Sequence, residues 1–157
     1  MPPRLRPATF STVLAALAVL SLACNGVRGH DQQEGVYQLT VASVLRDDCG
    51  WLAGTDQLFS VELVLAGDTV QLKHGMYDML MRGQFLSKEE SFRADGSATR
   101  FYETIRGAQC LVDVLSVHVD AQAESPTSFT GTATLYFQAE TDACTCRVWT
   151  TYRAVKQ

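Results

Sequence analysis

Residues 58–74 read LFSVELVLAGDTVQLKH, and this stretch decides the fold class. Phe59, Val61, Leu63 and Leu65 recur at every second position, the period of a strand with one buried face. Gly67-Asp68 supplies the residues of a two-residue hairpin turn, and Thr69–His74 alternates again. The stretch therefore predicts an antiparallel strand pair.

The same pattern extends in both directions. Upstream, Val36–Arg46 sets Tyr37, Leu39 and Val41 against Gln38, Thr40 and Ala42. Downstream, Tyr77–Leu86 is Met-rich, and Gly83 marks a bulge within it. Asp95-Gly96-Ser97 reads as a turn. Ala98–Arg106, Cys110–Ala121, Ser128–Gln138 and Cys144–Val155 complete the set. Ser87–Ala94 either extends the fourth strand or forms an additional one. No long 3.6-residue period occurs after residue 34.

The first residues follow a different rule. Arg4 and Arg6 precede an uncharged Ala/Val/Leu-rich run from Ala8 to Ala23. That run is short for a membrane span, which takes roughly 20 apolar residues. A basic start followed by a short apolar core reads as an export signal over residues 1–23. It ends in Leu20-Ser21-Leu22-Ala23-Cys24 and resembles the signal of a bacterial lipoprotein. The resemblance implies that Cys24 becomes the lipidated N-terminus and anchors the chain to the cell envelope. Asn25, in place of the Asp that retains enteric lipoproteins at the inner membrane, implies the outer membrane, facing the periplasm or the cell surface. Residues 24–34 have no apolar periodicity and read as a tether, leaving one domain over 35–157.

Charge and composition exclude several classes. The chain has 157 residues, 46% hydrophobic and 19% charged, with a formal charge of −4. Loss of Arg4 and Arg6 with the signal makes the remainder more acidic still. No basic run exists, so nucleic acid is not an expected partner.

Cysteines then constrain the topology. Of five, Cys24 is assigned to lipid, leaving Cys49, Cys110, Cys144 and Cys146. An even number in an exported domain implies two disulfides. Cys144 and Cys146 share one face of an extended strand at about 7 Å, too far for a mutual bridge, so each pairs with Cys49 or Cys110. A zinc site needs two close ligand pairs, and only one is present. In an up-and-down meander of eight strands, all four cysteines meet at one rim. A ninth strand over Ser87–Ala94 would separate Cys49 from the others. The expected fold is thus all-β, an eight-stranded antiparallel up-and-down barrel without exposed edges, with a β-sandwich as the alternative.

This plan resembles the calycins, the lipocalin-like barrels. Gly35-Val36-Tyr37 opens strand one where that group has Gly-x-Trp. The resemblance implies that Arg153, near the end of strand eight, lies across Tyr37 at the closed rim.

Few residues invite chemistry. Glu103 and Asp113 each alternate with apolar neighbours. A turn centred near Ala108 would set them opposite one another, facing inward, as a pair to share a proton, hold a cation or contact a ligand, whereas a one-residue register slip would put both in solvent. Met76, Met79 and Met81 crowd one strand and suit either core filling or an irregular apolar ligand. Trp51, beside Cys49, suits a barrel mouth, a partner or a disulfide. His30 falls in the tether, and His74 and His118 read as exposed strand positions. There is no G-x-S-x-G, no H-E-x-x-H and no phosphate-binding loop. The expected function is non-enzymatic and cofactor-free: a membrane-anchored barrel that binds a small apolar ligand or a basic protein partner. The alternative is an inhibitor of a secreted hydrolase such as lysozyme or a protease. An enzyme built on Glu103 and Asp113 is a third reading.

Overall fold

Eight antiparallel strands follow one another in chain order and close into a barrel, β8 pairing with β1. The structure is a computed structural model that describes residues 31–75, 77–86 and 90–157. The expected signal over 1–23, Cys24, the tether through His30, and Met76 lie outside the described residues. The strands are β1 Gly35–Asp47, β2 Gln57–Ala66, β3 Thr69–His74, β4 Met79–Phe85, β5 Ser91–Ile105, β6 Ala108–Ser125, β7 Ser128–Ala139 and β8 Cys146–Lys156. A 3-10 turn, Asp142–Cys144, precedes β8.

The hairpin over 58–74 forms as its pattern predicts. Ala66 pairs with Thr69 across Gly67-Asp68, and Gly67 takes the φ of +61° that a tight hairpin turn requires. Leu63, Leu65, Val70 and Leu72 all face the interior.

Three expectations about β4 and β5 need correction. Residues 91–94 belong to β5, so they neither extend the fourth strand nor form an extra one. Asp95-Gly96-Ser97 lies inside β5, paired with His118, Val117 and Ser116, and makes no turn. Gly83 forms no bulge. It pairs in regular register with Val70 and Ala94. Its missing side chain serves close strand approach instead: a Cβ there would stand 1.6 Å from the Arg93 carbonyl oxygen.

The wall is uneven in height. β5, β6, β7, β8 and β1 are long, whereas β3 and β4 are short. β4 pairs with β5 only from Arg82 to Phe85, and β2 pairs with β1 only as far up as Thr40. The upper parts of β1 and β5 therefore border the opening. Both carry irregularities: β1 is bulged between Val41/Ser43 and between Val44/Arg46, and Arg100 in β5 has φ +56°. Such breaks discourage edge-to-edge pairing with another chain.

The interior is filled by its own side chains. Tyr37, Phe92, Phe129 and Tyr152 stack around the lower axis with centroids 5.0–6.1 Å apart. Leu39, Leu63, Leu72, Met81, Leu135 and Phe137 are likewise buried. Small eight-stranded barrels close in this way when large side chains interdigitate across the axis.

Candidate functional site at the disulfide-fastened rim

The upper rim is where β1 leaves, β5 turns into β6, and β7 passes to β8. Both disulfides sit there, and they settle the pairing left open by spacing. Cys49 bonds Cys146 with Cα atoms 5.3 Å apart, and Cys110 bonds Cys144 at 5.7 Å. All four cysteines meet at one end, as eight strands require.

Arg106 ties the same loops together. It stands with Gly107 in the two-residue turn between β5 and β6, both at positive φ, 51° and 79°. Its backbone N–H donates to the Cys49 carbonyl at 2.8 Å. Its Nε donates to the Asp48 carbonyl at 2.6 Å and its Nη1 to the Ala143 carbonyl at 3.2 Å. One guanidinium thus joins the loop after β1 to the loop before β8. Asp47 orders the first of these loops, accepting from Trp51 N–H at 3.1 Å and Leu52 N–H at 2.9 Å. Leu52 is buried as a plug, and Trp51 lies half-buried with its ring 6.2 Å from Phe137.

The surface of this rim is acidic. Asp56, Glu140 and Asp142 are exposed and carry no ion pair among the described residues. Asp48 is paired with Arg46 at 2.5 Å. Arg106 directs its Nε and Nη1 at backbone carbonyls and pairs with no carboxylate among the described residues.

The opposed pair Glu103–Asp113 does not exist. The turn is centred between Arg106 and Gly107, not at Ala108, so Glu103 faces Cys110. β6 also bulges between Val112 and Val114 against β7, which turns Asp113 outward to solvent. The positive φ of Arg100 makes the matching phase change in β5, and flanking pairs leave Arg100 opposite Asp113. Upstream of Arg100 the even residues Phe92 and Ala94 point inward. Downstream the odd residues Phe101, Glu103 and Ile105 do.

Glu103 has a different partner. Its Oε2 accepts from the Tyr77 hydroxyl, and its Oε1 accepts from the Thr104 N–H at 2.8 Å. Burial, then the Glu103 hydrogen bond and charge, push the Tyr77 hydroxyl well above the usual phenol range. Tyr77 also packs on Phe101 at 4.6 Å and stacks on His74 at 5.5 Å, with Phe59 edge-on to His74 at 4.8 Å. This row of rings crosses the upper interior. His74 is therefore buried, contrary to its expected exposure, and burial lowers its pKa despite a raising backbone hydrogen bond. Met79 and Met81 are buried core residues of β4.

His118 is only partly covered, on the outer wall. Its Nδ1 meets Asp95 at 2.5 Å and its Nε2 meets Asp120 at 3.0 Å, while Arg93 bonds Asp120 at 2.8 Å. Partial burial pulls its pKa down, but the Asp95 and Asp120 carboxylates outweigh it, and the net shift is upward. Among the described residues no group of three His, Cys, Asp or Glu is arranged to hold a metal ion.

Of these features only the turn has a sequence signal. Arg106-Gly107 carries a turn glycine one position from the assumed centre. The Arg106 side chain then finds two carbonyls from distant loops, which no local pattern announces. Family models, curated proteins and solved structures were compared with the chain, and none matches it.

Proposed function

We propose that the chain is a non-enzymatic, exported, lipid-anchored binding protein that presents its upper rim to a basic protein partner. One observation carries this reading. Loops from three distant parts of the sequence are fastened into one acidic surface by two disulfides and the three hydrogen bonds of Arg106. A surface ordered before binding loses little entropy when a partner docks. Its carboxylates would steer a basic partner and fix its orientation. The filled interior beneath supports a rim function over a ligand held inside the barrel.

Inhibition of a basic secreted hydrolase is the special case in which the partner's active-site cleft receives the rim. Titration calorimetry against a panel of basic secreted proteins, lysozymes included, tests the reading at low and high salt. Expected is binding that weakens with salt and weakens again in the triple variant Asp56→Asn, Glu140→Gln, Asp142→Asn. Binding indifferent to both salt and these changes, or no binding across the panel, would overturn it. A parallel cell-wall lysis assay separates inhibition from simple association.

A further inference from the structure

The outer face where β1 meets β8 differs from the rest of the surface. Nine large hydrophobic residues are exposed among the described residues, and five lie on these two strands: Val36, Val44, Leu45, Trp149 and Val155. Trp149 keeps 45% of its surface exposed, and Leu45 48%. Between Val36 and Arg46, and again between Arg147 and Lys156, there is no carboxylate. In a chain of charge −4 that absence is local. The wall formed by β5 and β6 carries Asp95, Asp113 and Asp120.

Arginines flank the apolar residues of this seam. Arg46 stands beside Trp149 across the strands but is already paired with Asp48, so Arg147 and Arg153 are the arginines left to meet an anion. Arg147 lies 5.4 Å over the Tyr136 ring and has no ion pair among the described residues. Arg153 has only a distant contact, 3.7 Å, to Glu124. A shallow groove lined by Leu45, Arg46, Thr134, Arg147 and Trp149 marks the upper end.

We infer that this seam lies against an anionic lipid surface. The inference rests on the proposed lipid anchor and adds an orientation to it. Trp places an apolar ring and a polar N–H at the boundary between acyl chains and headgroups, and Arg attracts anionic headgroups. Symmetric pairing of two copies through the same face would set arginines against arginines, so a second copy fits poorly. Chain length fits the lipid surface. The lower end of the seam adjoins Gln32 and Gln33, which dock at Pro126. From Cys24 to Gln32 the chain spans at most about 27 Å. Along β8, Lys156 to Arg147 spans about 30 Å. The tether is thus long enough for the barrel to lie on its side, with the rim directed along the membrane plane and free for a partner.

The test uses the mature lipid-bearing chain, purified from an exporting host and reconstituted into phosphatidylcholine vesicles with or without phosphatidylglycerol. Trp51→Phe leaves Trp149 as the sole tryptophan of the two. With brominated acyl chains and phosphatidylglycerol present, Trp149 emission should shift blue and lose most of its intensity. Arg147→Gln with Arg153→Gln should abolish that dependence on phosphatidylglycerol. In the converse variant, Trp149→Phe, the remaining Trp51 should be unquenched. Unquenched Trp149 on a chain that stays attached overturns the docking and leaves the anchor standing. That result would point to a protein as the occupant of the seam. A chain that washes off every vesicle overturns both. Retention only on phosphatidylglycerol, with Trp149 quenched, supports the seam and removes the anchor.

Discussion

Gln32 closes the lower end of the barrel against Tyr37, its Nε2 donating to the Tyr37 hydroxyl at 2.7 Å. The same Nε2 reaches the Pro126 carbonyl at 3.0 Å, and the Tyr37 hydroxyl donates to the Gln33 carbonyl at 2.7 Å. Burial raises the Tyr37 pKa, partly offset by the Gln32 bond. The tether thus becomes part of the fold from Gln32 onward. The calycin resemblance implies Arg153 at this place, but Arg153 points to solvent on the outer face of β8. A neutral amide satisfies a buried phenol without bringing a charge into the interior.

Tyr37→Phe removes the group that holds Gln32. The buried amide loses a partner, and stability should fall by about 1–2 kcal/mol. Amide exchange at Gln33, whose N–H donates to the Pro126 carbonyl at 2.8 Å, should accelerate more than exchange in β6 and β7. Equal acceleration everywhere would mean that the contact supports the whole barrel and does not secure the segment locally.

Two glycines are required by strand approach. A Cβ on Gly131 would stand 1.9 Å from the Asp120 carbonyl oxygen, as one on Gly83 would crowd Arg93. Backbone must move in either case. Gly83→Ala and Gly131→Ala should each cost about 2–3 kcal/mol or more, read as a lowered denaturation midpoint. Gly54→Ala, with nothing within 4 Å of the added atom, serves as a comparison for the loss of a positive φ alone, here +80°.

The two disulfides close loops of different size. Cys49–Cys146 spans 97 positions and Cys110–Cys144 spans 34. In the chain-entropy account the longer loop stabilises by about 5 kcal/mol and the shorter by about 4 kcal/mol. Cys49→Ser with Cys146→Ser should therefore lower stability more than Cys110→Ser with Cys144→Ser. A reversed order in urea denaturation would show that residual structure in the unfolded chain, not loop closure, dominates.

The fold was readable where side chains obey one period. Phe59 to Leu65 alternate strictly, and the cysteines fixed the number of strands because only one count brings them to a common rim. Legibility failed where the period slips. Arg100 and Asp113 each shift their strand by one position, so Asp113 points out although its spacing from Leu111 and Leu115 suggested inward. A bulge costs one residue and leaves no composition signal. Gly96 misled for a related reason. Glycine reads as a turn, but here it admits Met81, whose side chain a Cβ would meet at 2.6 Å. The rim itself depended on Arg106, whose partners lie far away in sequence.

Histidines 118 and 74 should give stability opposite slopes with pH. Both have an ordinary value near 6.5. The His118 value is raised when folded, because Asp95 and Asp120 outweigh partial burial. Its contribution is fully present below about 6.5 and is lost as pH rises through the folded value. The His74 value is lowered by burial. Unfolding then takes up a proton, so stability falls as pH drops from about 6.5 through the folded value. Wild type should therefore be most stable near pH 6.5, declining on both sides. His118→Gln should flatten the alkaline limb alone. His74→Phe, which keeps ring packing between Phe59 and Tyr77, should flatten the limb just below pH 6.5 alone. Denaturation midpoints across about pH 5.5–9, with imidazole proton shifts followed in parallel, provide the measurement. If the alkaline decline survives in His118→Gln, the two carboxylates do not stabilise that imidazolium in the folded protein.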